Sequence, residues 1–197
     1  KRPHYESITS HGIDPIQGAK ELMENACSTC RHPETGAPLV AIASSGSHAK
    51  IRHNLSSADL WGIVHPDNIV SAEDVPRGKP HPDVYVKALE RLGCDSPGEN
   101  AIVIEDSIHG IHAAVRAGVG HIAAMTTSLS HVEMYTALCS LQKQTLDHAN
   151  STGLRGEKRV PSLIHMTSTC IVTIIGSTLP VTFEQLEHLI YDGQRTW

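Results

Sequence analysis

Three short polar segments of this chain carry the residue types that hold a phosphate group beside a metal ion. Each lies shortly after an apolar run: Ser44 and Ser45, then Lys79, then the acidic pair Glu105 and Asp106. Hydroxyls at the start of a helix bind anions, and an ammonium balances phosphoryl charge. Carboxylates together with phosphate oxygens are ligands that Mg²⁺ accepts. The three segments together predict a phosphoryl-transfer site.

Taken singly, each segment has a simpler explanation. Ser44 and Ser45 fit an ordinary helix N-cap, and Asp106 or Ser107 could cap the helix that follows them. A lone loop lysine such as Lys79 is usually just solvated. The part that performs the chemistry is also missing, because no Asp-x-Asp follows a strand anywhere in the 197 residues. The sequence therefore offers no candidate for an aspartyl nucleophile.

The surrounding pattern alternates short apolar runs with helical spacing, which is typical of a parallel sheet with crossover helices. Strands are predicted at residues 39–43, 69–71, 101–104 and 121–125, and helices at 18–30, 44–55, 82–92 and 108–117. This order predicts a doubly wound α/β fold with helices on both faces of a mostly parallel sheet. Ligands bind at the carboxyl ends of the strands in such sheets, where the three polar segments fall.

The organisation along the chain has three parts. Residues 1–17 are polar and irregular, residues 18–130 hold the α/β pattern, and residues 131–197 form an extension of uncertain structure. Within the extension the pattern predicts a helix at 131–146, a polar basic linker at 147–162, a strand at 170–175 and a helix at 183–191. No function follows from this last third.

Composition narrows the class of partner. The formal net charge of −5 argues against nucleic acid, whose binding relies on clustered Lys and Arg. No apolar stretch approaches the roughly 20 residues of a membrane span. Five cysteines, an odd number, with no secretory pattern favour a reducing, cytoplasmic location. Cys27-x-x-Cys30 has redox or zinc spacing but lacks a second pair, so we expect a helix end there. His109 and His112 are expected on the surface.

The motifs Gly78-Lys79-Pro80-x-Pro82 and Glu105-Asp106-Ser107-x-x-Gly110, with the earlier Ser44-Ser45-Gly46, resemble the haloacid dehalogenase-like hydrolase superfamily. The similarity covers about residues 18–127 and is strongest to its β-phosphoglucomutase, phosphoglycolate phosphatase and glycerol-phosphatase branch. It implies a Rossmann-like core and a phosphatase that acts on a small phosphorylated sugar or polyol. A sugar phosphomutase of the same family and a non-catalytic phosphate-binding protein remain the alternatives.

By this resemblance Ser44 and Ser45 bind the transferring phosphate, Lys79 binds it too, and Asp106 with Glu105 holds Mg²⁺. The family's nucleophile strand and most of its cap domain lie upstream of the matched region, and residues 1–17 are expected to be the remnant of that cap. That strand is central, between the strands predicted at 39–43 and 101–104, so its absence predicts a gap. We therefore expect an incomplete chain that does not turn over, with 170–175 as the spare apolar segment.

Overall fold

The computed structural model describes residues 12–95, 97–125, 127–130, 132–134, 136, 140 and 162–167. The strands are β1 (Ile42–Ala43), β2 (Ile69–Val70), β3 (Ile102–Glu105), β4 (His121–Met125) and β5 (Ser162–Thr167). The α-helices are α1 (Ala19–Thr29), α2 (His48–Ser57), α3 (Asp83–Arg91), α4 (Pro97–Asn100) and α5 (Ile108–Arg116). Short 3₁₀ helices cover Pro66–Asn68 and Ala72–Asp74. The predicted α/β class is confirmed.

All strand pairs within these residues are parallel, and they fall into two sheets. In the first, β1 pairs with β2, with Ile42 opposite Ile69. In the second, β4 lies between β3 and β5, with Ile102 opposite His121. Helix α2 connects β1 to β2, and α5 connects β3 to β4. Among the described residues no strand joins β1 to β3, so a gap in the strand pairing separates the two sheets.

Local sequence determines where the helices begin and end. The Ser47 side chain accepts the Lys50 N–H at the start of α2, and the Ser107 side chain accepts the Gly110 N–H at the start of α5. These bonds satisfy N–H groups that have no partner inside the helix. Gly118 ends α5 with φ of 81°, a left-handed conformation that glycine adopts without steric cost.

The core lies between the strands and the apolar faces of α3 and α5. Val103 in β3 and Ile122 in β4 have no exposed surface, and neither does Tyr85 in α3. Spacing of Val84, Ala88 and Leu92 had predicted this buried face of α3, and all three are buried. Among the described helices, none is both long and apolar enough to cross a membrane.

Several boundaries differ from the sequence-based prediction. The helix predicted at 44–55 begins only at His48, after the Ser47 cap, and runs to Ser57. The apolar run 39–43 pairs as a strand only over Ile42–Ala43, although residues 39–41 are buried. Glu105 was predicted to follow a strand, but it is the last residue of β3 and is itself buried. Its charge ends the apolar pattern one residue before the strand ends.

The C-terminal prediction missed β5, which begins at Ser162, the last residue of the predicted linker. The short helix α4 was also missed. The predicted strand at 170–175 and helix at 183–191 lie outside the described residues, as do most of 131–146 and residues 1–11.

Candidate phosphate-binding site

The three predicted segments meet at one cavity of about 440 Å³ at the carboxyl ends of β1 and β3. Its lining includes every predicted site residue, namely Ser44, Ser45, Lys79, Glu105 and Asp106. The segments come from parts of the chain more than 20 residues apart, and the parallel strands bring them to the same edge.

The serine segment leaves β1 in a fixed conformation. The Ser44 N–H donates to the Val70 carbonyl at 2.9 Å, which continues the pairing with β2. The Ser44 hydroxyl oxygen accepts the Gly46 N–H at 3.1 Å. This bond uses a lone pair of the oxygen and leaves the O–H as a donor. Ser44 therefore presents a hydroxyl hydrogen beside the cavity.

A turn at residues 71–74 holds the start of α2 in place. The Ala72 N–H donates to the Gly46 carbonyl at 3.3 Å, and the His48 N–H donates to Glu73 Oε2 at 2.9 Å. The His48 Nε2 atom lies 2.9 Å from Asp74 Oδ2. Three contacts thus connect the serine segment to the end of β2.

The Asp74 carboxylate is the centre of this turn. Partial burial alone would raise its pKa. Hydrogen bonds from His48 and the Ser71 N–H outweigh burial, together with the charges of His48 and Arg91, and the pKa of Asp74 is lowered. The ionised carboxylate is therefore the form that the folded protein favours.

Lys79 reaches across the gap between the two sheets. Its Nζ atom donates to Glu105 Oε1 at 2.6 Å, to Tyr85 Oη at 2.9 Å and to the Ala43 carbonyl at 3.2 Å. Both side chains of the Lys79–Glu105 ion pair are 8% exposed. The ammonium thus connects the end of β1 to the end of β3.

Side-chain hydrogen bonds hold the loop that carries Lys79 on both sides of this residue. Arg77 makes two bonds to the Asp83 carboxylate, at 2.8 and 3.0 Å, and the hydrogen bond from Arg77 lowers the pKa of Asp83. On the other side of Lys79, Arg116 donates to the Pro80 carbonyl at 2.7 Å. Residues from α3 and α5 therefore hold the loop at the cavity.

Both oxygens of the Glu105 carboxylate accept bonds from the protein. Oε1 accepts from Lys79, from Tyr85 Oη at 3.3 Å and from the Ser107 hydroxyl at 3.3 Å. Oε2 accepts the N–H groups of Asp106 and Ser107 at 2.8 and 3.3 Å. These five hydrogen bonds offset the desolvation cost of burying the Glu105 charge and orient the carboxylate toward Lys79.

Gly110 makes room for this carboxylate. A Cβ atom at position 110 would lie 1.6 Å from Glu105 Oε1 and 2.0 Å from its Cδ. No side chain larger than hydrogen fits while Glu105 keeps its position. The close approach explains the glycine in the interior of α5, where it costs helix stability.

Asp106 has different partners. Its Oδ2 atom accepts from the Thr127 hydroxyl at 3.0 Å and from the Ser128 hydroxyl. Both hydroxyls belong to the segment after β4, so the site draws on the ends of at least three strands. Asp106 is only half-buried, in contrast to Glu105.

Comparison with known proteins identifies the family. The family model described as haloacid dehalogenase-like hydrolase matches residues 2–124. The chain belongs to this family. The resemblance based on the serine, lysine and acidic segments is therefore confirmed, and the parallel α/β fold agrees with it.

Individual relatives are phosphatases by name. Hexitol phosphatase A from Escherichia coli K12 is 34% identical over 149 residues, which cover 73% of this chain and 62% of that protein. The phosphorylated carbohydrates phosphatase of Thermotoga maritima is 34% identical over 91 residues, covering 46% and 40% respectively. A solved T. maritima structure, provisionally described as a β-phosphoglucomutase, has a TM-score of 0.56 at 25% identity, covering 68% of this chain and 57% of that one. The chain thus spans less than two thirds of each.

Other residues with reactive or titratable side chains lie away from the candidate phosphate-binding site. Cys27 donates its thiol to the Ile63 carbonyl at 3.4 Å, and burial raises the pKa of Cys27 and of Cys30. They stand at the end of α1, as predicted.

His109 is exposed on α5, and partial burial lowers the pKa of His112, one turn further along the same helix. Among the described residues, no group of three or more His, Cys, Asp and Glu could hold a metal.

Sequence reasoning missed Tyr85, Thr127 and Ser128 as contacts of the site. Tyr85 was not among the predicted buried residues of α3, although its ring is buried there as well. Thr127 and Ser128 follow the predicted strand 121–125, and position at a strand's carboxyl end was the signal available for them.

We expect Gly110→Ala to destabilise the protein by about 2–4 kcal/mol, because the new methyl group must displace Glu105. In a Glu105→Ala background the same change should cost nothing or stabilise by about 0.5–1 kcal/mol, since alanine favours the helix. Urea denaturation of the two single variants and the double variant measures this coupling.

Gly78→Ala is the matched control, because a Cβ there meets nothing within 4 Å. It should change stability little. Additive effects of the Gly110 and Glu105 substitutions would contradict the close approach.

Asp74→Asn should lower stability by about 1–3 kcal/mol near pH 7, because a charged hydrogen-bond acceptor is lost. A depressed carboxyl pKa gives stability that is present above the ordinary value of 3.8 and lost as pH falls through the folded-state pKa. The difference between wild type and variant should therefore shrink below about pH 4. Urea denaturation across this range checks it, with Asp95→Asn as control. A difference independent of pH would refute the assignment.

Proposed function

We propose that the cavity binds the phosphate group of a small phosphorylated sugar or polyol, beside Mg²⁺, as the phosphate site of a phosphoric monoester hydrolase. The observation that carries this proposal is the convergence of hydroxyl, ammonium and carboxylate groups from three separate loops at one cavity. Each group has a simpler role when considered alone, but their meeting at one cavity does not follow from those roles.

Ser44, Ser45 and Lys79 form the phosphate-binding part of the proposal. The Ser44 O–H is available as a donor, and Ser45 is exposed at the cavity just before α2. Donors at the start of a helix favour an anion. Lys79 adds a positive charge in a poorly solvated position, where it attracts a phosphate oxygen more strongly than an exposed lysine would.

Asp106 is the proposed metal ligand. Mg²⁺ is usually held by one or two carboxylates together with substrate phosphate and water, so a half-buried carboxylate at the cavity fits this donor set. When bound, Mg²⁺ neutralises charge on the phosphate oxygens. Glu105 was expected to share the metal, but both its oxygens already accept bonds. Its contacts favour an ion pair that orients Lys79, with Asp106 left for the metal.

The substrate class follows from the named relatives. Hexitol phosphatase A and the phosphorylated carbohydrates phosphatase are named for phosphorylated polyols and carbohydrates. A small phosphorylated metabolite is the ligand that we propose by analogy. The cytoplasmic location expected from the odd number of cysteines belongs to the same proposal.

Binding without turnover is the second part of the proposal. The 197-residue sequence contains no Asp-x-Asp, so no carboxylate stands ready as the family's nucleophile. Between β1 and β3, where that nucleophile is expected, the Lys79 ammonium contacts the Ala43 carbonyl instead. The chain by itself is therefore a phosphate-binding protein with an incomplete catalytic set.

The binding part is tested by titrating the full chain with inorganic phosphate in the presence of Mg²⁺, using isothermal titration calorimetry. Lys79→Ala should weaken binding at least tenfold, because a charged hydrogen bond is worth about 1.5–3 kcal/mol. Asp106→Asn should weaken only the Mg²⁺-dependent part. Lys20→Ala is the control, since Lys20 pairs with Asp59 on the surface. Equal affinities for wild type and Lys79→Ala would disprove the proposal.

The turnover part predicts no hydrolysis of p-nitrophenyl phosphate above background with Mg²⁺. The physical reason is the missing nucleophile, since positioning alone does not form the covalent intermediate. Release of p-nitrophenol is followed by absorbance, with Asp106→Asn beside the wild type. Hydrolysis that disappears in Asp106→Asn would mean that another residue of this chain acts as nucleophile.

A further inference from the structure

Tyr85 occupies an unusual position for a core residue. Its side chain has no exposed surface, yet its hydroxyl lies 2.9 Å from Lys79 Nζ and 3.3 Å from Glu105 Oε1. The Lys79 Nζ atom also lies 4.6 Å from the centre of the Tyr85 ring. The residue therefore contacts the ammonium both through its hydroxyl and through the face of its ring.

A buried hydroxyl is stable only when it is hydrogen-bonded. Phenylalanine would fill the same volume in α3 without that requirement. The hydroxyl accepts from Lys79 and donates toward Glu105, so it closes a triangle with the ion pair. Beyond packing, the Tyr85 hydroxyl therefore helps to fix the position of the Lys79 ammonium.

The number of donors on Lys79 shows what the triangle does. An ammonium has three N–H bonds, and three acceptors lie around Nζ: Glu105 Oε1, Tyr85 Oη and the Ala43 carbonyl. A phosphate oxygen must therefore replace one of them. The contact to Ala43 is the longest, at 3.2 Å, and Ala43 lines the cavity. With two N–H bonds fixed by Glu105 and Tyr85, the third stays directed toward the cavity.

We propose that Tyr85 is a positioning residue that directs the Lys79 ammonium toward the bound phosphate. This inference rests on the proposed phosphate site. Without the hydroxyl, Glu105 is the one fixed side-chain partner that the ammonium keeps among the described residues, and the ammonium can turn away from the cavity. The cost is a loss of phosphate affinity with little change in the packing of the core.

The test compares Tyr85→Phe, Tyr85→Leu and Val84→Ala in the full chain by calorimetric titration with inorganic phosphate and Mg²⁺. Tyr85→Phe should weaken phosphate binding roughly fivefold, as expected for one hydrogen bond. Tyr85→Leu, which also removes the ring, should weaken it further. Val84 is buried beside Tyr85 on α3 but is no part of the triangle. Val84→Ala should lower the melting temperature and leave the phosphate affinity unchanged.

A second measurement does not depend on phosphate binding. Acetic anhydride acetylates amines, and mass spectrometry gives the rate at Lys79 relative to exposed Lys20 in the same molecule. Tyr85→Phe should raise the relative rate severalfold, because the ammonium is released from one partner, whereas Val84→Ala should not.

The outcomes separate the two proposals. Weaker binding and faster acetylation in Tyr85→Phe, with neither in Val84→Ala, supports the positioning role. Only one of these changes, or the same changes in Val84→Ala, overturns it. If wild type does not bind phosphate, the proposed function fails, and acetylation alone decides whether Tyr85 holds the lysine.

Discussion

The buried ion pair between Lys79 and Glu105 is the interaction around which the site is built. A charge removed from water costs several kcal/mol unless partners replace its hydration, and a nearly buried pair must have all of them. The neighbouring sequence supplies these partners: two backbone N–H groups after β3, the Ser107 hydroxyl and Tyr85. The same pair connects the two sheets where no strand lies between them among the described residues. The Lys79–Glu105 ion pair therefore contributes both to the stability of the fold and to the shape of the cavity.

Much of this arrangement follows from local sequence. Short apolar runs followed by polar residues predicted the strands and the ends at which they carry the site. Serine caps were expected before both helices, because their side chains satisfy N–H groups of the first turn. The start of α5 at Ile108 after Ser107 is as predicted, whereas α2 begins later than predicted, with Ser47 as its cap. These features depend on residues a few positions apart, so they can be predicted without knowing how distant parts of the chain pack together. Parallel pairing aligns the strand ends within each sheet, and the Lys79 contacts to Ala43 and Glu105 connect the ends of β1 and β3.

The features that were not predicted depend on residues far apart in the chain. Glu105 looked like a loop residue because a charge normally marks the end of a buried strand. Its burial depends on the opposite charge of Lys79, 26 positions earlier, in addition to its local hydrogen bonds. The hydroxyls of Thr127 and Ser128 gain importance only when β4 lies beside β3. Strand β5 mixes serine, histidine and threonine with apolar residues, and it becomes a strand by pairing with β4. Spacing along the sequence contains none of these contacts.

The charged groups that line the cavity have a consequence for how the two proposed ligands affect each other's affinity. Lys50 and Lys79 carry positive charge, Glu105 and Asp106 carry negative charge, and the formal charges of these four cancel. A phosphate dianion alone would leave the cavity strongly negative, and a divalent cation alone would leave it equally positive. Each ligand therefore improves the electrostatic environment of the other. By thermodynamic linkage, the factor by which the cation raises phosphate affinity equals the factor by which phosphate raises cation affinity. If the proposed phosphate and Mg²⁺ both bind here, an electroneutral cavity favours binding the two together over binding either one alone.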